Sequence, residues 1–368
     1  MKWAGLAFFA LLLACSCTDA PARPTSNASS PPVYPTNPSL PTEPSPLTLA
    51  AGCRLPIYRH EAGPGPPVNA LGFLNVCSGG FTPDPNSGFG AYIRPGNRWV
   101  PAGAEAISPD GRRYVYVTLI WRPDGNALDP RGTPDHWEIH VVEIIDKVDR
   151  VVSSQPLSTN YRVVKFSSAG VYLTQGCPSG CAAEYGRLWL LDPESGRISK
   201  VTDIRGIGWT VRGNYAWANS DLMSDPSFAS STTENPPWRQ VFRLDLTTGE
   251  TQVWASSQTT YGLAFLDSDG MPVISVQSQC PFPVWPRLAD CYIVWNTLQG
   301  TNELYRLTSP TTHDFLAKLK LGCVSTAPEG TWLCGNETLY LYTPPRTFRA
   351  VAKTSGFDYY VVLGQLGD

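Results

Sequence analysis

The feature that most constrains the fold is a strand–turn–strand motif that recurs along the chain. Its clearest copy spans residues 105–117, where Ser108-Pro109-Asp110-Gly111 forms a tight turn between two apolar stretches. Glycine is favoured in such a turn because it adopts positive φ without a steric penalty. Degraded copies, each with a glycine at the turn, occupy residues 164–173, 207–217, 263–274 and 321–334. The sequence therefore predicts a chain built from repeated β-hairpins.

A second hairpin is expected after each copy of the motif. Clear examples lie at residues 191–197, 244–250 and 295–301, at spacings of 53 and 51 residues, and weaker ones lie at 93–97, 145–150 and 342–346. Four short strands in every repeat of about 50 residues are typical of a β-propeller blade. The 35 prolines, 32 glycines and 16% charged residues suit such a turn-rich chain. We therefore predict an all-β, six-bladed β-propeller, with seven blades as the open alternative.

Residues 107–117 also carry a family resemblance. An apolar residue, Ser-Pro-Asp-Gly, a basic residue and an apolar strand follow one another there. This order resembles the WD40-like (PD40) repeat of TolB-type propellers. The resemblance implies a propeller body from about residue 50 to the end of the chain. It does not carry over the partners of TolB, because no matching contact residues can be assigned.

Closure of the ring is the next requirement, since an open ring would leave an exposed sheet edge. Residues 357–363 follow the last hairpin at the distance expected of an inner strand, and the chain ends shortly after them. At the other end, apolar segments at residues 55–58, 71–76, 90–93 and 98–101 supply strands without a clear inner one. We therefore predict that the C-terminal strand completes the N-terminal blade.

The N-terminus resembles a bacterial export signal. An apolar run at residues 3–13 follows Lys2 and is too short to span a bilayer. It ends in Leu12-Leu13-Ala14-Cys15, which resembles the lipobox of bacterial lipoproteins; an ordinary cleaved signal peptide is the alternative. We predict a signal peptide at residues 1–14, a lipidated Cys15 beginning a Pro/Ser/Thr-rich tether at residues 15–49, and the propeller at residues 50–368. The predicted location is the cell envelope, outside the cytoplasm, with the membrane contacted through the lipid.

The body contains eight further cysteines, an even number that favours disulfides in an exported chain. Eight cysteines allow 105 connectivities, and we predict the local pairs Cys53–Cys77, Cys177–Cys181, Cys280–Cys291 and Cys323–Cys334. Two-residue cysteine spacings and Cys/His clusters, which would indicate zinc, do not occur in the sequence. We therefore expect no metal site.

Charge and motifs exclude several functions. A net charge of -3 without a Lys/Arg run argues against nucleic-acid binding. His136 and His140 lie on one face of a predicted strand but about 13 Å apart, too far to share a metal, so structural or surface roles are expected. The sequence lacks a Gly-x-Ser-x-Gly elbow, a phosphate loop and a flavin fingerprint. We therefore assign no cofactor and no catalytic residue.

The predicted second connections of the blades are long and should emerge on one face, here called the long-loop face. They span residues 77–88, 121–136, 175–186, 219–238 and 277–290. Loops grouped at one repeat position often form a binding face. The aromatic and acidic candidates for ligand binding in these loops are Trp121, Asp124, Asp129, Asp135, Tyr185, Phe228, Trp238 and Trp285. The three aspartates lack EF-hand spacing, which favours a solvated turn over a calcium site.

Two functions fit these features. One is a membrane-anchored binding or scaffold module for a protein or glycan, acting through the long-loop face. The alternative is an extracytoplasmic hydrolase or lyase that acts on glycans or peptides, which requires a convergent polar site that the sequence does not reveal. The fold does not decide, because propellers host both kinds of function.

The lipid anchor gives the first prediction. Cys15→Ala removes the lipidated thiol, so we expect the protein to move from the membrane fraction to the soluble fraction after cell lysis. Cys17→Ala is the matched control, because the residues before Cys17 fit the lipobox less well, and this variant should stay with the membrane. Membrane retention of Cys15→Ala at the level of the unsubstituted protein would contradict the anchor.

Overall fold

The computed structural model describes residues 40, 52–61, 68–88, 90–94, 96–122, 133–176, 186–220, 239–257, 261–277, 302–335, 337–353 and 359–363. These residues belong to a compact unit that spans Pro38–Asp368. Their regular structure is almost entirely β, with one short 3₁₀ turn at Ala104–Ala106. Among them, no helix is long and apolar enough to cross a membrane.

The strands of the first half of the chain alternate with short turns and longer connections. They are β1 (Arg54–Glu61), β2 (Val68–Asn75), β3 (Phe81–Pro83), β4 (Ala91–Ile93), β5 (Arg98–Val100), β6 (Arg113–Arg122), β7 (Thr133–Glu143), β8 (Val148–Pro156), β9 (Asn160–Ser167), β10 (Gly170–Gly176), β11 (Leu188–Leu191) and β12 (Ile198–Lys200).

The second half continues the same pattern to the C-terminus. Its strands are β13 (Gly206–Arg212), β14 (Tyr215–Ser220), β15 (Arg239–Asp245), β16 (Thr251–Ser257), β17 (Tyr261–Leu266), β18 (Pro272–Gln277), β19 (Asn302–Ser309), β20 (Thr312–Leu319), β21 (Leu321–Ala327), β22 (Gly330–Gly335), β23 (Thr338–Thr343), β24 (Thr347–Lys353) and β25 (Tyr359–Val362).

These strands form the six blades of a β-propeller, which confirms the predicted fold. Blade 1 has the strand order β25-β1-β2-β3, and blade 2 has the order β6-β7-β8. Blades 3 to 6 are four-stranded sheets of consecutive strands, from β9–β12 to β21–β24, and β4–β5 is a separate two-stranded sheet. All pairings are antiparallel.

The C-terminal strand closes the ring, as predicted. Strand β25 pairs with β1, with Ile57 opposite Val362, and the Leu363 N–H donates to the Pro56 carbonyl at 2.9 Å. Val362 is buried in a cluster that combines Ile57 of blade 1 with Trp332 of blade 6. The C-terminal strand is therefore hydrogen-bonded into blade 1, and blades 1 and 6 share an apolar core.

The core of the molecule lies between neighbouring blades. Ile139 of blade 2 packs with Leu173 of blade 3 in one cluster, and Val273 of blade 5 packs with Leu333 of blade 6 in another. Similar clusters join blades 3 and 4, blades 4 and 5, and blades 6 and 1, and the β4–β5 hairpin packs against blade 2. A blade isolated from its neighbours would expose both faces to water, which explains why a closed ring is needed.

Blade 2 departs from the prediction at its inner position. Residues 105–108 were expected to form a strand, but they contribute the 3₁₀ turn and a single bridge between Ile107 and Tyr114. Ala and Glu, which form the 3₁₀ turn at Ala104–Ala106, have low β propensity. The turn itself is as predicted: Ser108 Oγ donates to Asp110 at 2.6 Å, and Gly111 has a φ of +68°.

Blade 1 also differs from the prediction. Residues 90–93 and 98–101 were expected in this blade, but β4 and β5 pair only with each other, and β3 is the outer strand. The Asn75 side chain explains the early turn, since it accepts the N–H groups of Cys77 and Ser78 at 3.0 Å. Residues 77–88 are therefore not a second connection; that position falls to residues 62–67, between β1 and β2.

The outer hairpin of blade 5 was misplaced as well. It was expected at residues 295–301, but β19 and β20 meet at a turn formed by residues 310–311. Ser309 Oγ closes this turn by donating to Thr312 at 3.0 Å, and proline at position 310 suits it. Residues 295–301 belong instead to the connection between β18 and β19, which lies outside the described residues and exceeds the predicted span 277–290.

Two of the four predicted disulfides are present in the described residues. Cys53 bonds Cys77 with a Cα–Cα distance of 5.5 Å, and Cys323 bonds Cys334 at 4.9 Å. The second bond joins residues directly opposite each other on β21 and β22. Disulfides are typical of proteins from oxidising compartments. Cys177, Cys181, Cys280 and Cys291 lie outside the described residues, so their pairing stays a prediction.

A buried ion pair holds the inner turn of blade 5. Arg306 on β19 donates from Nε to Asp267 at 2.7 Å, and the Asp267 carboxylate is fully buried. The other carboxylate oxygen accepts the N–H groups of Asp269 and Met271 at 3.0 and 2.9 Å. The guanidinium also reaches Asp269 at 3.0 Å. The buried Asp267 carboxylate is therefore stabilised by Arg306 and by two backbone N–H groups.

This ion pair gives a prediction on stability. Arg306→Met leaves the buried Asp267 without its cation and should lower the free energy of unfolding by about 3–5 kcal/mol, because an unpaired buried charge is costly. Arg346→Met removes an exposed pair with Asp314, 2.9 Å long, and should cost about 1 kcal/mol or less. Urea unfolding followed by tryptophan fluorescence measures both, and equal losses would contradict the assigned role.

Candidate functional site

Blade 2 contains the two longest strands of the described residues. Strands β6 and β7 have 10 and 11 residues, more than any other described strand. They are joined by residues 123–132, which lie outside the described residues. Because β6 runs toward the long-loop face and β7 runs away from it, Trp121, Arg122 and Asp135 lie at the same end of the blade. The pairing register shifts there, between Ile120 and Trp121.

A row of polar side chains follows one face of this blade. Side chains two residues apart on a strand share a face, so His136, Glu138 and His140 point the same way. Ile139 and Val141, which alternate with them, are buried against blade 3. The pairing of β7 with β6 and β8 places further polar side chains next to these three. We call the resulting set the blade 2 row, and its members are Tyr116, Arg122, Asp135, His136, Glu138, His140 and Asp149.

The half of the row nearest the long-loop face is a chain of ionic hydrogen bonds. Arg122 donates to one carboxylate oxygen of Asp135. The other oxygen of Asp135 lies 3.0 Å from His136 Nδ1. On the far side of the ring, His136 Nε2 lies 3.1 Å from Glu138 Oε1. The imidazole of His136 therefore sits between two carboxylates.

The other half repeats the same arrangement. Glu138 Oε2 lies 3.1 Å from His140 Nε2, and His140 Nδ1 lies 2.9 Å from Asp149 Oδ1. Tyr116 donates its hydroxyl to Asp149 Oδ2 at 2.7 Å. Its ring also stacks on His140, with centroids 4.5 Å apart and planes 16° apart. The second imidazole is thus held between two carboxylates and against an aromatic ring.

The pKa shifts within the row follow from these contacts. Hydrogen bonds to Asp135 and then Glu138 raise the pKa of His136, and the same contact lowers the pKa of Asp135. Burial, followed by the hydrogen bond to Asp149, raises the pKa of Tyr116. Because the pKa of His136 is raised on folding, its contribution to stability is complete below about pH 6.5, its unfolded value. That contribution is lost as the pH rises through the folded pKa.

A cleft of about 380 Å³ lies between the turns of blades 2 and 3, on the face of the propeller opposite the long-loop face. Its charged lining residues are Asp110, Arg113, Asp192 and Glu194. Arg113 is paired with Glu194, and the two aspartates cap their own turns. Hydrogen bonds from Ser108 and Ser195 lower the pKa of Asp110 and Asp192, respectively. The polar groups that line the cleft therefore stabilise the two turns and join blade 2 to blade 3.

The structure places two of the eight residues predicted to bind ligand. Asp135 belongs to the blade 2 row, and Trp121 lies close by on β6, partly buried. The remaining six lie outside the described residues: Asp124, Asp129, Tyr185, Phe228, Trp238 and Trp285. Cys15 also lies outside them. The ligand-binding role of all eight stays a prediction.

Sequence reasoning missed most of the row. It treated His136 and His140 as separate residues and did not consider Glu138, which joins them. The usable signal was the spacing of two residues between His136, Glu138 and His140, which places all three on one face of a strand. Asp149 carried no such signal, since its position depends on the register of β8. Within the described part of the chain, no group of three or more His, Cys, Asp or Glu side chains is arranged to hold a metal ion.

Comparison with known proteins gives similarity at the level of fold. No known family matches the sequence, and no curated protein matches it. Solved structures of similar fold include TolB from Acinetobacter baumannii, with 12% identity, a TM-score of 0.44, and coverage of 84% of this chain and 67% of TolB. The propeller domain of the trilobed protease from Pyrococcus furiosus has 11% identity, a TM-score of 0.42, and coverage of 83% and 85%.

An oligogalacturonate lyase from Vibrio parahaemolyticus is also similar. It has 11% identity and a TM-score of 0.39, and the match covers 75% of this chain and 70% of the lyase. At such identities these similarities concern the β-propeller fold alone. The function therefore has to be argued from the residues of this chain.

Proposed function

We propose that this protein is a lipid-anchored lipoprotein of the cell envelope whose propeller is a binding or scaffold module for a protein or glycan. The partner contacts the long-loop face. The observation that carries this proposal is the blade 2 row, whose outer end lies at that face. The predicted lipid on Cys15 and the proline-rich segment after it support the placement outside the cytoplasm.

The outer end of the row has the composition of a recognition surface. The side chain of Arg122 is 72% exposed, while its charge is held in position by Asp135. Trp137 alternates with His136 and Glu138 and so lies on the other face of the same strand end, where it is partly exposed and its Nε1 donates to the Leu157 carbonyl at 3.4 Å. Leu157 is 40% exposed, and Trp121, next to Arg122 on β6, is also partly exposed. Arginine and tryptophan dominate binding energy in many interfaces, and tryptophan also stacks on sugar rings. Polar groups that are already fixed by hydrogen bonds, as Arg122 is by Asp135, lose little entropy when a partner binds.

The same contacts favour binding over catalysis. A general base must reach the proton that it removes, usually that of a nucleophile or a substrate. In the part of the chain that the structure describes, all four imidazole nitrogens of the row contact carboxylates instead. The row therefore supplies charge and hydrogen bonds rather than a free base. Within the described residues, no comparable observation favours the hydrolase or lyase alternative.

A binding experiment tests this proposal. The purified full-length chain is applied to a glycan array and to separated cell-envelope proteins, and the affinity for the strongest binder is then measured. Arg122→Ala should weaken this affinity at least about tenfold, since arginine at the centre of an interface commonly contributes this much.

Arg346→Ala is the matched control. Arg346 is also exposed, at 57%, but it lies at the turn between β23 and β24, on the face opposite the long loops. This variant should bind as the unsubstituted chain does. Equal effects of the two substitutions, or cleavage of the bound glycan or peptide, would contradict the proposal.

A further inference from the structure

The hydrogen bonds of the blade 2 row need more protons than two neutral histidines carry. An ionised carboxylate only accepts hydrogen bonds, and a neutral imidazole has one N–H donor and one nitrogen acceptor. His136 and His140 together make four nitrogen-to-carboxylate contacts, between 2.9 and 3.1 Å. Four such contacts need four protons, but two neutral imidazoles supply two. If both rings were neutral, two contacts would set a nitrogen lone pair against a carboxylate oxygen.

The two additional protons belong on the imidazoles. An unperturbed histidine binds a proton at a pH about two units higher than an unperturbed Asp or Glu. Adding a proton to an imidazole beside two carboxylates also creates attraction, whereas protonating a carboxylate removes it. The direction of the shift at His136, whose pKa its carboxylate neighbours raise, agrees with this placement.

With both rings charged, every partner in the row is satisfied. Each of the six carboxylate oxygens of Asp135, Glu138 and Asp149 then accepts one hydrogen bond, from Arg122, His136, His140 or Tyr116. Positive and negative groups alternate along the row, and its net charge is zero. Loss of the two extra protons would leave a net charge of -2 and two repulsive contacts.

We propose that the blade 2 row is a proton-binding site in which His136 and His140 are both doubly protonated in the folded protein at neutral pH. The row binds two protons more than the same side chains bind as neutral histidines. Glu138 contacts both rings and favours the charged form of each.

The surroundings of the row allow this charge state. Strand β6 contributes Tyr116 and Arg122, and β8 contributes Asp149. The hairpin β4–β5 contributes Arg98, whose charge acts on the neighbouring Tyr114. The imidazoles remain in contact with water, with 31% of the His136 side chain and 12% of the His140 side chain exposed. Protons can therefore exchange with solvent without unfolding of the blade.

The proton site would regulate the binding face, and this consequence rests on the proposed function. Asp135 holds Arg122 at the long-loop end while it also contacts His136. Release of the two protons leaves the row with a net charge of -2, which opposes an anionic group brought to Arg122. Binding of such a group through Arg122 should therefore weaken as the pH rises through the titration of the row.

Nuclear magnetic resonance tests the site without any partner. Full-length protein labelled with ¹⁵N in histidine is titrated from pH 5 to pH 9, and two-bond ¹H–¹⁵N spectra report the protonation of each ring nitrogen. His136→Gln and His140→Gln assign the signals. We expect both nitrogens of both rings to be protonated at pH 7, with the titration midpoint of His136 above the ordinary value of a histidine. A neutral tautomer of either ring at pH 7 would overturn the proposal.

A charge-neutral variant tests the shared carboxylate. Glu138→Gln should lower the titration midpoint of His136 by about one unit, a tenfold loss of proton affinity, and reduce the doubly protonated fraction of both rings at pH 7. Glu143→Gln is the matched control on the same strand, because Glu143 faces Arg113 at 3.9 Å instead of the row. Equal midpoints in the two variants would overturn the coupling through Glu138. The spectrum of the unsubstituted protein tests the proposal even if a variant does not fold. Neither result depends on whether the long-loop face binds a partner.

Discussion

The pairing of β25 with β1 is the interaction on which the rest of the structure depends. The apolar side chains of this protein are buried between blades, so each blade is stable only when both of its neighbours are present. The first and last blades obtain this contact because the C-terminal strand completes blade 1, where Val362 packs with Ile57 and with Trp332 of blade 6. The Cys53–Cys77 disulfide joins the start of β1 to the end of β2 in the same blade.

A closed ring explains how a polar row can be tolerated on blade 2. The hydrophobic side of this sheet, with Ile139 and Val141, is fixed against blade 3, which leaves the opposite side to carry His136, Glu138 and His140. In the proposed charge state, opposite charges alternate along this face and satisfy one another, so the row does not need the rest of the protein for charge balance. The extra length of β6 and β7 brings its outer end to the long-loop face. Fold, charge pairing and the proposed binding surface are connected in this way.

Much of the fold could be predicted from the sequence, because turns depend on local chemistry. Ser108, Asp110 and Gly111 form the expected turn, and β25 closes the ring where the spacing placed it. The errors arose where pairing decided the outcome. Strand β3 has three residues and no strong pattern, and the outer hairpin of blade 5 follows a connection whose length the repeat spacing could not provide.

The candidate site was harder to predict than the fold. Alternation places His136, Glu138 and His140 on one face, but the contact with Asp149 depends on a register shift between β7 and β8 at Ile139 and His140. No local pattern in the sequence fixes such a shift. The stacking of Tyr116 on His140 likewise requires that β6 and β7 place these two residues directly opposite each other.

Amide hydrogen exchange followed by mass spectrometry tests ring closure most directly. We expect peptides containing β25 and β1 to exchange as slowly as those of β22, in the middle of blade 6, since all three belong to one closed structure that opens only on global unfolding. Rapid exchange of residues 359–363, at the rate of an unstructured chain, while β21–β24 stay protected, would contradict a ring closed by the C-terminal strand.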